Sequence, residues 1–149
     1  MKIPQTQLVR ARMKSQATAL TLVISFGLTI LGPRLGLAGE VDLSKVPAAA
    51  DKKGVTYEKD IRSLFEQSCF KCHGPEKPKG RLRLDSLESA LQGGKDGKII
   101  EKGNSAKSLI VRLTARLDED EAMPPKDKGK PLTREQVGLI RAWIDQGAK

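Results

Sequence analysis

Apolar positions along the chain recur at helical spacing, and no stretch reads as a convincing strand. Thr56 is placed to cap a first helix. Ile61, Leu64 and Phe65 form its apolar stripe, with Glu58 and Asp60 in the first turn, and the run continues into Cys69. Residues 74–80 hold two prolines and two glycines and predict a loop. Asp85-x-x-Glu88 reads as a capping box for a short helix through Leu91, ended by Gly93, Gly94 and Gly97. Asn104 or Ser105 caps a third helix with Leu109, Ile110, Leu113 and Leu117 on one face. Thr133-x-x-Gln136 is a second capping box. It opens a last helix with Val137, Ile140 and Ile144 inward, widened by Leu139 and Trp143, and with Gly147 suited to its C-terminal cap. The pattern predicts a small all-α domain of about four helices over residues 56–149, preceded by a linker at 39–55.

The start of the chain differs in kind. Lys2, Arg10, Arg12 and Lys14 precede a mostly apolar run at residues 17–31, and no acidic residue occurs before Glu40. Small residues follow at Gly36, Ala38 and Gly39. A basic start, an apolar middle and a small-residue exit make a secretory signal peptide, here residues 1–38 with cleavage after Ala38. The apolar run is shorter than the ~20 residues that span a bilayer comfortably. Retention of residues 17–31 as a membrane anchor is the alternative. The expected location is the periplasm or another exported site.

Removal of that segment changes the charge balance. The whole chain carries 27 basic and 18 acidic residues, net +9, and loss of five basic residues leaves +4 on 111 residues. With no basic stripe interleaved with aromatics, nucleic-acid binding is not expected. A domain this small buries a modest share of its surface, so a buried prosthetic group would supply core that the chain lacks.

Cys69-Phe-Lys-Cys72-His73 carries the candidate chemistry. C-x-x-C-H is the signature of covalent haem c attachment. Each thiol adds across one haem vinyl group, and the adjacent imidazole is placed to bind iron. Structural zinc wants four Cys or His ligands, and this chain has two cysteines and one histidine. A redox dithiol belongs on a βαβ pattern, which is missing around Cys69. A disulfide across two residues closes a loop too small to stabilise much.

The single histidine limits the other face of the iron. Methionines occur at 1, 13 and 123, and the first two lie in the expected signal peptide. Met123, in Ala-Met-Pro-Pro, is then the candidate distal ligand, within a segment that its prolines make stiff and extended. A lysine, water or an open position are the alternatives. His/Met ligation raises the reduction potential.

The region from about Tyr57 to Ala148 resembles a planctomycete-type cytochrome c domain, a branch of the class I-like monohaem cytochromes. The resemblance is carried by Cys69, Cys72, His73 and Gly74, by Lys79-Gly80 with Leu82-Arg83-Leu84-Asp85, and by Gly103 with Ser108, Leu109, Ile110 and Arg112. Met123-Pro124-Pro125 and Leu132 through Trp143-Ile144 to Gly147-Ala148 complete it. It departs at Arg81, where glycine is expected, and at Lys102, where proline is expected. The resemblance implies a cytochrome c-like fold wrapped round one covalent haem c, with His73 as proximal and Met123 as distal ligand. In that fold the first and last helices cross, so Phe65 and Trp143 are expected to meet.

The expected role is an electron carrier rather than an enzyme, with no catalytic acid–base residues. A five-coordinate haem protein, either a small-ligand sensor or peroxidase-like, is the alternative if Met123 does not bind. A haem-binding module docked in a larger complex is the third. Lys71, Lys77, Lys79, Arg81 and Arg83 cluster within and just after the cysteine motif, while Asp118, Glu119, Asp120 and Glu121 precede Met123. The basic group suits docking to an acidic patch on a redox partner; a solvated loop is the plainer account. N-terminal sequencing of the exported protein is expected to find a start near Gly39, and recovery of intact protein from Met1 in the membrane fraction would select the anchor.

Overall fold

The computed structural model describes residues 44–76 and 78–149. The expected signal peptide, the apolar run at 17–31, Met1, Met13, Lys77 and the first part of the linker lie outside the described residues. Thr56 caps the first helical run as expected, its hydroxyl accepting from the Lys59 N–H at 3.4 Å. The run opens as a π-turn, Tyr57–Ile61, and continues as α1, Arg62–Ser68. At Cys69 the backbone leaves the helical region (φ −123°, ψ −35°), and a separate turn, α2, spans Phe70–His73. The expected first helix is therefore two. With α3 at Leu87–Gln92, α4 at Leu109–Thr114 and α5 at Arg134–Asp145, the described residues hold five α-helical segments, where about four were expected. No strand occurs among the described residues, so the all-α class holds. None of their helices is long and apolar enough to cross a membrane.

Two starts differ from expectation. Ser86, not Asp85, caps α3, its hydroxyl accepting from the Ser89 N–H at 3.2 Å. Asp85 is engaged by Arg83, whose Nε and Nη2 donate to its two carboxylate oxygens at 2.9 and 2.6 Å. Asn104 caps a single 3-10 turn, Ser105–Lys107, and α4 begins only at Leu109. That late start rotates the inward face of α4. Ile110, Val111 and Thr114 are buried, and Leu109 is exposed. Thr114 is tolerated inside because its hydroxyl donates to the Ile110 carbonyl at 2.7 Å.

The last helix follows its sequence closely. Both arms of the Thr133/Gln136 capping box form. Val137, Ile140, Ala142, Trp143 and Ile144 are buried. Gly147 adopts φ +96°, which lets its N–H donate to Ile144 O and the Ala148 N–H donate to Trp143 O, both at 2.9 Å. Residues 46–55, within the expected linker, run along this helix. The Ala50 N–H donates to Gly138 O at 2.9 Å, and Arg141 Nη1 donates to Pro47 O at 2.6 Å. Gly138 permits this approach, because a Cβ there would stand 2.6 Å from Ala48 O.

The core sits where the first helical run meets α5. Phe65 and Trp143 pack edge to face, with ring centroids 6.3 Å apart and planes at 77°. Tyr57 joins them, 6.0 Å from Trp143 and 6.3 Å from Phe65. All three side chains are fully buried. The Tyr57 hydroxyl donates to Leu84 O at 2.6 Å, tying the first helical run to the segment after the haem motif. Burial, then the Glu58 carboxylate, pushes the Tyr57 pKa up from 10.0 to about 12.

The folded chain thus keeps this proton to higher pH than the unfolded chain. The stability that Tyr57 contributes is intact below about pH 10 and is lost as pH rises from about 10 to about 12. Tyr57→Phe leaves the buried Leu84 carbonyl without its partner, at a cost of about 1–3 kcal/mol at neutral pH, and removes this alkaline loss. Denaturant unfolding of the holoprotein at about pH 7 and about pH 11 checks both effects.

Candidate functional site

Cys69, Cys72 and His73 occupy one helical turn at i, i+3 and i+4, so all three fall on the same side of it. The Cys72 and His73 N–H groups both donate to Cys69 O, at 3.0 and 2.8 Å, which fixes the turn. The Cys69 N–H donates to Phe65 O at 2.7 Å, fastening the motif to the end of α1. Phe65 is one of the three core aromatics, so the motif is held at the edge of the core. The two cysteines are free and half-buried. Burial pushes the Cys69 thiol up to about 12.

His73 Nδ1 lies 3.3 Å from Leu82 O. Donation there orients the ring and leaves Nε2 with the free lone pair. Burial lowers the histidine pKa, and this hydrogen bond opposes the shift. The segment that carries Leu82 is held in turn. The Leu84 N–H donates to His73 O at 2.8 Å, and the Lys95 N–H donates to Gly80 O at 2.8 Å. Arg81, the departure from the family pattern, has φ +57°. This is the left-handed region that glycine enters most easily, which accounts for the glycine expected there.

Met123 comes from the loop that follows α4. It is 37% exposed between two buried neighbours, Ala122 and Pro124. The chain bends at Met123 and Pro124, across a cis peptide, rather than running extended as the prolines predicted.

Cys69, Cys72, His73 and Met123 all line one cleft of about 270 Å³ with mostly apolar walls. Pro124, Pro125, Ser68 and Gly80 complete those walls, and Lys71, Lys79 and Lys128 stand at them as exposed side chains. The donor set fits a haem c. Two unbridged thiols can form thioethers, an imidazole has a free nitrogen, and a thioether sulfur shares the cleft. Of the basic cluster, Arg81 and Arg83 do not line the cleft. Lys128 was missed because it lies 55 residues beyond His73, and nothing in a lysine near a turn marks it. Two of the four acids before Met123 are held by arginines. Arg112 holds Glu121 at 2.8 Å and Arg116 holds Glu119 at 2.6 Å.

Residues 69–127 match the model of the family described as Planctomycete cytochrome C. The resemblance seen in the sequence is shown over that stretch, from the first cysteine through the methionine loop. It points to a haem-binding cytochrome with haem c as cofactor, and it fits an electron carrier better than an enzyme. The segments on either side, including Tyr57 and all of α5, lie outside the match. No curated protein and no solved structure matches the chain.

Gly74 ends the motif turn, and a Cβ there would stand 2.6 Å from Phe70 O. Gly74→Ala is expected to force His73 and its turn apart and to lower holoprotein stability by roughly 1–3 kcal/mol, the usual range for overpacking. Denaturant unfolding of the variant beside wild type is the measurement.

Proposed function

We propose that this chain is an exported monohaem c-type cytochrome that carries single electrons between redox partners. Cys69 and Cys72 hold the porphyrin, His73 is the proximal iron ligand and Met123 is the distal one. The observation that supports this most directly is that these four residues, up to 54 positions apart, line the same cleft. A bound haem supplies an iron that changes oxidation state by one electron. The chain's part is to attach the porphyrin at two points, orient His73 through Leu82 O, and keep water from the metal with Pro124, Pro125 and the apolar walls. No acid–base residue is needed, because no substrate bond is made or broken.

Lys71, Lys79 and Lys128 give the cleft a cationic rim. With Lys77 and Arg81 they suit an acidic patch on the partner, which speeds encounter more than it adds affinity. The periplasm, or another exported site where haem is attached, is the matching location, reached through the signal peptide of residues 1–38.

Expression with a haem-maturation system is expected to give one haem per mature chain that survives acid–acetone extraction. Ferric protein should show the weak red charge-transfer band of methionine-bound haem, and reduced protein should bind carbon monoxide slowly. Met123→Ala should abolish the band, admit carbon monoxide readily and lower the potential, because a soft thioether favours ferrous iron. It should leave the haem attached. Wild-type protein that lacks the band and binds carbon monoxide rapidly would favour the five-coordinate reading.

A further inference from the structure

Two hydrogen bonds fasten the methionine loop to the end of α4, one on each side of the Met123 side chain. The Met123 N–H donates to Leu113 O at 3.0 Å. Arg116 Nη1 donates to Pro124 O, the carbonyl of the next residue, at 3.0 Å. The same guanidinium is held from its other side, with Nη2 2.6 Å from Glu119 Oε2. Arg116 therefore spans the base of the loop that leaves α4 and returns at Met123. On the far face, the loop closes against α1. A Cβ on Gly129 would stand 3.1 Å from Pro124 Cβ and 3.2 Å from Ser68 O, so the chain approaches α1 closely on that side.

The φ of Arg116 is +55°, the left-handed region in which glycine would sit without strain. Replacement by glycine at this position therefore removes the side chain without straining the turn.

We infer that Arg116 is the positioning residue for the distal ligand, a clamp oriented by Glu119 that holds Met123 against the haem site and keeps that face closed to other ligands. The inference rests on the ligation of iron by Met123 proposed above. It goes beyond that reading by naming what governs the lability of the bond. Arg116 touches neither the cleft nor the haem-attaching residues. It acts through the Pro124 carbonyl, whose displacement moves the adjacent sulfur.

Arg116→Gly tests this, because it relieves the backbone while removing the clamp. The measurement is made on holoprotein with covalent haem. The variant is expected to keep its haem and helical content, weaken the red charge-transfer band, and bind carbon monoxide at least roughly tenfold faster than wild type. That factor is the scale of losing one hydrogen bond from a charged donor. Its potential should fall in the direction of Met123→Ala. Arg116→Lys, which can still donate to Pro124 O, should restore part of the band. Glu119→Gln, at a side chain 73% exposed and so of little consequence for folding, should shift band and rate in the same direction by less. Wild-type band, potential and carbon monoxide rate in both Arg116→Gly and Glu119→Gln would overturn the clamp and leave methionine ligation standing. A wild type without the band would overturn both.

Discussion

Phe65 and Trp143 meet edge to face, and with Tyr57 they close the crossing of the first helical run over α5. The placement of the cleft follows from this junction. Phe65 O receives the N–H of Cys69, so the haem motif begins at the point where α1 is pinned to α5. Tyr57 OH reaches Leu84 O, which sets the segment whose Leu82 carbonyl orients His73. Trp143 Nε1 and the Tyr57 N–H both donate to the main-chain oxygen of Lys149, at 2.9 and 2.7 Å, which folds the end of the chain back onto the same cluster. In a domain with so few large side chains, three aromatics at one point do what a broader core does elsewhere.

The two sides of the cleft are supported differently. The cysteine and histidine side is a continuous helical turn, braced by local hydrogen bonds and by the core beneath it. The methionine side is a loop with no regular structure, and its position is inherited from the end of α4 through Leu113 O and Arg116. A short-range constraint is hard to loosen without unfolding the turn. A loop held at two points can yield locally at much lower cost. In the proposed reading, that asymmetry makes the distal face the adjustable one and the proximal face the fixed one. The charges follow the same division. The lysines at the cleft stay exposed, while Glu121 and Glu119, two of the four acids near Met123, pair with Arg112 and Arg116.

Features governed by neighbours in the chain were legible in advance. The Cys69–Cys72–His73 spacing, the Thr133/Gln136 box, the Gly147 cap and the inward face of α5 each depend on residues within a single short stretch of chain, and each appears as read. Where two local signals competed, the outcome needed the fold. Asp85 was a sound cap by pattern, but Arg83 took its carboxylate and Ser86 capped instead. Asn104 capped a 3-10 turn, which delayed α4 and exchanged Leu109 for Val111 and Thr114 in the core. Residues 46–55 read as linker because they have no helical period. They lie along α5 through bonds to backbone groups, which no side-chain pattern reveals.

By itself the sequence determined the all-α class, the two thiols and the imidazole that the motif offers, and Met123 as the one methionine among the described residues. Each follows from residue type, count or short spacing. Tertiary structure alone decided that Met123 stands in the same cleft as His73, that Lys128 joins Lys71 and Lys79 there, and that Arg116 holds the loop. Those relations join residues brought together by the crossing of helices. Their distances are set by the packing of the aromatic junction and the return of the chain from α4, and neither is encoded in local order.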